Sequence, residues 1–241
     1  LKRVIKKIFS GMIIATLVLT IPTMSSAKPL KKTEVEYVSL GDSLAAGFTP
    51  YYGRIDLGYA DFLKERMEQS QYEVNFTNFA VPGYTSTRLK NDVLNNEEVI
   101  AEIKSADMIT LDIGANDVLN ALYVDPFKAI DTVRKNLTAI LKAIDMINPN
   151  VDVYVMGYYN PFPYLPLNEQ ELLIQIMNGL NNTIETVASI HGDVFVSTEE
   201  AIAEDPMLYI PNPTNIHLSL EGYEVIAKEF WGALDKSNNK K

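Results

Sequence analysis

The chain has 241 residues, 47% of them hydrophobic and 22% charged, which suits one globular domain with a sizeable core and excludes a disordered polymer. Its 31 acidic against 21 basic residues give a formal charge of −10, a poor match to nucleic acid or to an anionic membrane surface. With no cysteine and two histidines, disulfide frameworks, thiolate zinc sites and thiol catalysis are excluded, and a transition-metal site has little to draw on. Chemistry therefore falls to oxygen nucleophiles, carboxylates and at most two imidazoles.

In chain order, Lys2, Arg3, Lys6 and Lys7 precede an apolar run from Ile8 to Ile21, followed by Pro22 and a Ser-Ser-Ala ending at Ala27. This pattern predicts a secretory signal peptide over residues 1–27, cleaved after Ala27. The run is short for a membrane span, so an uncleaved N-terminal anchor is the lesser alternative. Without its four basic residues the mature chain holds 17 Lys+Arg against 31 Asp+Glu, a formal charge of −14. Residues 28–241 are then expected as a single secreted domain, extracellular or cell-wall associated, without stable membrane insertion. Its oligomeric state is open.

The remainder alternates strand-like and helix-like patterns. Val35 to Leu40 is an apolar run closed by a glycine, and a helical pattern follows from Gly58. Val74 to Ala80 is the second strand, short helical stretches lie between Ser86 and Lys104, and "DMITLDIG" is the third strand. Asp125 and Pro126 are a cap and first-turn signal. Phe127, Ile130, Val133, Leu137, Ile140, Ile144 and Ile147 then line one helical face as far as Pro149. "VDVYVMG" is the fourth strand. Asn168 opens a helix with Leu172, Ile176, Leu180, Ile184 and Val187 inward, "DVFVS" is the fifth strand, and the last helix starts near Ser219. Strand followed by helix five times over predicts a parallel sheet covered on both faces.

Open parallel sheets hold their sites beyond the carboxyl ends of the strands. There the chain places "GDSLAAG" (41–47), "VPGYTS" (81–86), "GANDV" (114–118) and, late in the sequence, "PNPTNIHLSLEGY" (211–223). An acyl-transfer site requires a nucleophile, a base and donors for the oxyanion. Ser43 at a tight turn fits the first role and His217 the second. The backbone N–H groups of Ser43 and Gly83 and the side-chain amide of Asn116 fit the third. His191, between a helix and a strand, is expected to be a helix C-terminal residue favoured by the dipole. Asp42 and Asp117 are expected to stiffen the two turns by accepting hydrogen bonds.

These four blocks, in this order, resemble the SGNH, or GDSL, hydrolase family, whose Ser, Gly, Asn and His fall on Ser43, Gly83, Asn116 and His217. The resemblance spans Val35 to Leu234. It implies a three-layer α/β/α fold with a five-stranded parallel sheet, flavodoxin-like, together with hydrolysis of carboxylic esters or thioesters and no cofactor or metal. The family usually carries an aspartate three residues before the histidine, where this chain has Thr214. Thr214, Asn215, a backbone carbonyl, or Glu204 and Asp205 in the preceding loop are the candidates for holding the ring. A G-x-S-x-G frame is absent, since its fifth position is Ala45, and so are phosphate-binding glycine motifs.

The expected function is a secreted esterase or lipase-type acylhydrolase acting on a small-molecule, lipid or glycan ester. The alternatives are a glycan O-acetylesterase and a catalytically weakened module that binds glycan or lipid. Lysophospholipase and thioesterase activity stay open. "GYYNPFPYLP" (157–166) is expected to overhang the crevice as an aromatic wall, with "TPYYGR" (49–54) as a second one.

Overall fold

The computed structural model describes residues 32–51 and 53–238, so the leader expected over 1–27 lies outside the described residues. Five strands form one parallel sheet: β1 (Thr33–Gly41), β2 (Tyr72–Asn78), β3 (Met108–Asp112), β4 (Asp152–Met156) and β5 (Val194–Val196), in the order β2-β1-β3-β4-β5. The chain steps from β1 to β2 in one direction and from β3 through β4 to β5 in the other. Right-handed crossovers therefore put the connecting helices on opposite faces. Helix α1 (Tyr59–Gln69) packs with the last helix of the chain on one face; α2 (Ser86–Asn95), α5 (Pro126–Ile147) and α6 (Leu167–His191) pack on the other. This is the three-layer α/β/α arrangement expected. The remaining helices are α3 (Glu97–Ser105), α4 (Ala115–Asn120), α7 (Glu199–Ala203), α8 (Pro206–Tyr209) and α9 (Leu220–Asn238).

The central strands are buried on both sides, β3 over its whole length, which is why their sequences are apolar runs rather than alternations. Asp125 caps α5 by accepting from the Lys128 N–H at 2.9 Å, and Pro126 sits in the first turn, where its missing N–H costs no hydrogen bond. Val133, Leu137, Ile140 and Ile144 of α5 are fully buried. At the other end of α6, Gly192 takes a left-handed cap, φ 83°.

Three expectations shift. The second strand runs from Tyr72 to Asn78 rather than from Val74 to Ala80, although Phe79 and Val81 extend its register by donating to Ser39 O and Gly41 O. Phe127 and Leu172, expected inward, are 60% and 57% exposed. Phe127 stands in the first turn of α5. The inward stripe at the start of α6 runs through Leu173, Ile176, Met177 and Leu180, of which Ile176 and Leu180 are buried in the core as expected, and all four also line a cleft. The short helices α4, α7 and α8 carry too few turns for an apolar period and are not legible in the sequence. Among the described residues no helix is long and apolar enough to cross a membrane.

Candidate active site

The strand order reverses at β1 and β3, and a crevice opens where two neighbouring strands send their connections to opposite faces. Ser43 leaves β1 and Asn116 leaves β3 at this point. Gly41 permits the approach of the two strand ends, because a Cβ there would overlap the Asp112 carboxyl group. The chain then turns tightly, with Ala46 N–H donating to Asp42 O at 3.2 Å and Phe48 N–H to Ser43 O at 2.9 Å. The turn leaves Ser43 only 9% exposed, with its Oγ 2.8 Å from His217 Nε2 and 3.4 Å from Asp42 Oδ1.

His217 precedes α9 in an extended segment held from several sides. Its ring lies against Phe48, centroids 4.7 Å apart, and the Tyr159 hydroxyl donates to the neighbouring Ile216 carbonyl at 2.9 Å. Asn215 Oδ1 stands 2.9 Å from the His217 backbone N and 2.6 Å from His217 Nδ1. These two contacts fix the tautomer. A backbone N–H only donates, so the amide atom facing it is oxygen; that same oxygen accepts from Nδ1, which therefore carries the proton. Nε2 is left with its lone pair toward Ser43 Oγ, the state a general base needs. Burial pushes the His217 pKa down to about 4, so the ring is neutral over the neutral range.

The group left open by the sequence is thus Asn215. Thr214 turns away, its N–H and hydroxyl both donating to Asn212 Oδ1 at 3.0 and 2.9 Å. Asp205 accepts from the Leu208 N–H at the start of α8, and both Glu204 and Asp205 are exposed. His191 is the last residue of α6 and pairs with Asp145 at 2.7 Å, away from this site.

Asn116 sits in the first turn of α4, after Gly114, whose φ of 122° favours glycine. Its Nδ2 donates to Tyr84 O at 2.9 Å and to Asp42 Oδ2 at 3.2 Å. Both amide hydrogens therefore face protein acceptors, and the one on the longer contact is the one a ligand oxygen could share. Gly83 occupies the turn before Tyr84 with φ 80° and open space where a Cβ would point. It is not among the residues lining the cleft; its link to the others is the Tyr84 carbonyl that receives the Asn116 amide. Asp117 stiffens the same region by accepting from the Ser86 N–H and hydroxyl, both at 2.7 Å. Burial raises its pKa, offset in part by these bonds.

A cleft holds Ser43 and His217 together with an apolar lining of Leu119 and Leu122 and of Leu173, Ile176, Met177 and Leu180 from α6. Tyr158, Tyr159, Pro161 and Phe162 complete it, so the 157–166 segment is an aromatic wall as expected. Tyr158 and Tyr159 are also structural, with hydroxyls on Asp42 Oδ2 at 3.3 Å and on Ile216 O. The 49–54 segment contributes no described residue to the cleft. Sequence reasoning missed the α6 wall and Asp112, whose signal was an acid inside an apolar run meant for burial on both faces. Such an arrangement can transfer a proton from a serine hydroxyl to an imidazole beside an apolar groove.

The family model described as GDSL-like Lipase/Acylhydrolase matches residues 39–225. The chain is 26% identical over 212 residues to the spore germination lipase LipC of Bacillus licheniformis, covering 83% of this chain and 96% of that protein. Among solved structures, the lipase Lip_vut3 from a goat rumen metagenome superposes with a TM-score of 0.71 at 24% identity, over 84% of this chain and 97% of its own. Axe2, an acetylxylan esterase from Geobacillus stearothermophilus, gives 0.65 at 20% identity, over 83% and 94%. At these identities the two structures speak for the fold alone.

Proposed function

Because the chain belongs to the GDSL-like lipase/acylhydrolase family, we propose that it is a carboxylic-ester hydrolase working through Ser43 and His217. The observation that carries this reading is the 2.8 Å contact between Ser43 Oγ and an Nε2 whose lone pair is set by Asn215. Ser43 Oγ attacks the ester carbonyl carbon while its proton passes to Nε2. The imidazolium keeps its Nδ1 proton on Asn215. The oxyanion takes donors from the backbone N–H groups of Ser43 and Gly83 and from the Asn116 amide, which shifts its longer bond from Asp42. The tetrahedral intermediate collapses, the alcohol leaves with the proton from Nε2, and water repeats the sequence to release the acid.

The apolar lining beside the serine, with six aliphatic side chains from α4, α6 and the turn after α4, suits a short- to medium-chain acyl group better than a bare acetyl. The leader supports export and cleavage after Ala27, checked by N-terminal sequencing of the protein from culture medium. The test of the chemistry is hydrolysis of p-nitrophenyl acetate, butyrate and octanoate by the purified protein beside Ser43→Ala and His217→Ala. Turnover that rises from acetate toward the longer chains and falls to background in both variants supports the reading. Undiminished turnover in either variant overturns the roles, and a preference for acetate overturns the substrate class.

A further inference from the structure

Asp42 and Asp112 are a pair of carboxyl groups that the reaction steps leave without a part. Both are buried, 1% and 0% exposed, at the ends of neighbouring strands. The Asp42 N–H points at Asp112 Oδ2 at 3.4 Å, which brings the two carboxyl groups together. The titratable groups around them are Tyr37 of β1, Tyr59 of α1, Tyr158 and Tyr159 after β4, and Tyr223 of α9, all neutral acids that burial holds protonated. No ion pair among the described residues reaches either aspartate. Two contacting buried carboxylates without a cation do not both stay ionised, so the pair keeps one proton.

The donors around the pair decide where that proton sits. Asp42 receives the Leu44 N–H at 3.2 Å, the Asn116 amide at 3.2 Å and the Tyr158 hydroxyl at 3.3 Å, while the Ser43 Oγ, 3.4 Å away, keeps its proton on His217 Nε2. Asp112 receives one strong side-chain donor, the Tyr59 hydroxyl at 2.8 Å. The better solvated oxygen pair holds the charge, so Asp42 is the anion and Asp112 the acid that donates to it. Burial and the Asp42 charge both push the Asp112 pKa well above the usual carboxylate range.

We propose that Asp112 is a positioning residue whose neutral carboxyl group donates to Asp42 and thereby aims it as the acceptor that orders Leu44 and Asn116 beside Ser43. The role rests on Ser43 and Asn116 acting as described above. It is distinct from any charge effect, because an amide, which also donates and never ionises, can take its place. Asp112→Asn keeps an acceptor for Tyr59 and a donor for Asp42; Asp112→Ala removes both.

The experiment measures kcat and KM of the full chain, Ser43→Ala, Asp112→Asn and Asp112→Ala, with circular dichroism as the fold check. An infrared spectrum near neutral pH reports any neutral carboxyl group through its carbonyl band. Asp112→Ala is expected to lose at least about tenfold in kcat with KM within about twofold, as a misaimed oxyanion donor should. Asp112→Asn is expected to keep kcat within about threefold of the parent and to remove one carbonyl band, separate from that of Asp193, whose carboxyl burial pushes up to about 7. A folded Asp112→Asn as impaired as Asp112→Ala overturns the proposal, as does Asp112→Ala matching an active parent. If Asp112→Ala does not fold, the band and Asp112→Asn still decide: a parent without the band overturns the shared proton. A parent no more active than Ser43→Ala sinks the esterase reading and this role with it, whereas failure of the Asp112 series beside an active, Ser43-dependent parent sinks this role alone.

Discussion

The serine turn and the histidine loop meet at one hydrogen bond but are built on different principles. The turn is anchored in the sheet by two buried acids and the hydroxyls of Tyr59 and Tyr158. The loop is anchored at its edge by amides: Asn212 holds Thr214 and reaches Pro50 O at 2.8 Å, and Asn215 holds His217. Charge sits behind the nucleophile and none sits behind the base. Orientation and electrostatics, which a histidine–aspartate pair supplies together, are separated here. In a serine protease an asparagine in place of the aspartate costs about 10⁴ in rate because it selects the wrong tautomer. In this chain the backbone N–H of His217 turns the amide oxygen inward, so the amide selects the right one.

Asn215→Ala should break the comparison most severely. With Nδ1 unpartnered the ring loses its tautomer preference, and kcat is expected to fall about 100-fold or more with KM little changed. Steady-state kinetics on the preferred p-nitrophenyl ester checks this; a loss under about threefold would show that Phe48 and the Ile216 segment hold the ring unaided.

Asn215→Asp should sharpen it. The base works only when neutral, so activity in the parent should be flat through neutral pH and fall along an acid limb centred near pH 4. A carboxylate on Nδ1 raises the ring pKa, and the limb should move toward neutrality while the plateau rates rise about tenfold. An unmoved limb would assign it to another group. The same depressed pKa has a sign for stability. The unfolded histidine, near its ordinary value of 6.5, binds a proton that the folded one refuses down to about 4. This contribution is therefore full above pH 6.5 and lost as pH falls toward 4. Urea midpoints at the two ends of that window should differ less in His217→Gln than in the parent.

On the turn side, Tyr158→Phe removes one of several donors on Asp42 and should lower kcat by about threefold. Equality with Asp112→Ala would mean that the hydroxyl, not the acid, aims the turn. The smallest effect is expected of the substitution that family likeness suggests first: Thr214→Asp should change kcat by less than about twofold, because that side chain faces Asn212. A gain matching that of Asn215→Asp would show that the loop rearranges to accept the new carboxylate.

Ser43, Gly83 and Asn116 were legible because each follows a strand, where apolar runs meet glycine, and His217 because it is one of two histidines and stands just before the last helix. The orienting group was legible only as one of several candidates. A search for a carboxylate finds none in the right place, and amide orientation depends on a backbone N–H two residues away that no sequence pattern displays. Phe127 and Leu172 show the opposite failure. Both keep the helical period, but an apolar stripe does not say whether core, cleft or solvent lies beneath it. Asp112 was visible as an acid in a buried strand, yet its partner lies across the sheet, 70 residues earlier in the chain.

The bond between Ser43 and His217 joins residues 174 apart, and the Tyr223 hydroxyl ties α9 to Phe48 O at 2.6 Å across a similar span. Ser43 is in place once the first half of the sheet has formed, but His217 arrives only when the last helix docks. Long-range closures of this kind come late in folding. Catalytic competence is therefore a property of the completed chain: during refolding, recovery of esterase activity should trail recovery of helical signal, and a chain released before α9 would carry a formed serine turn with no base to use it.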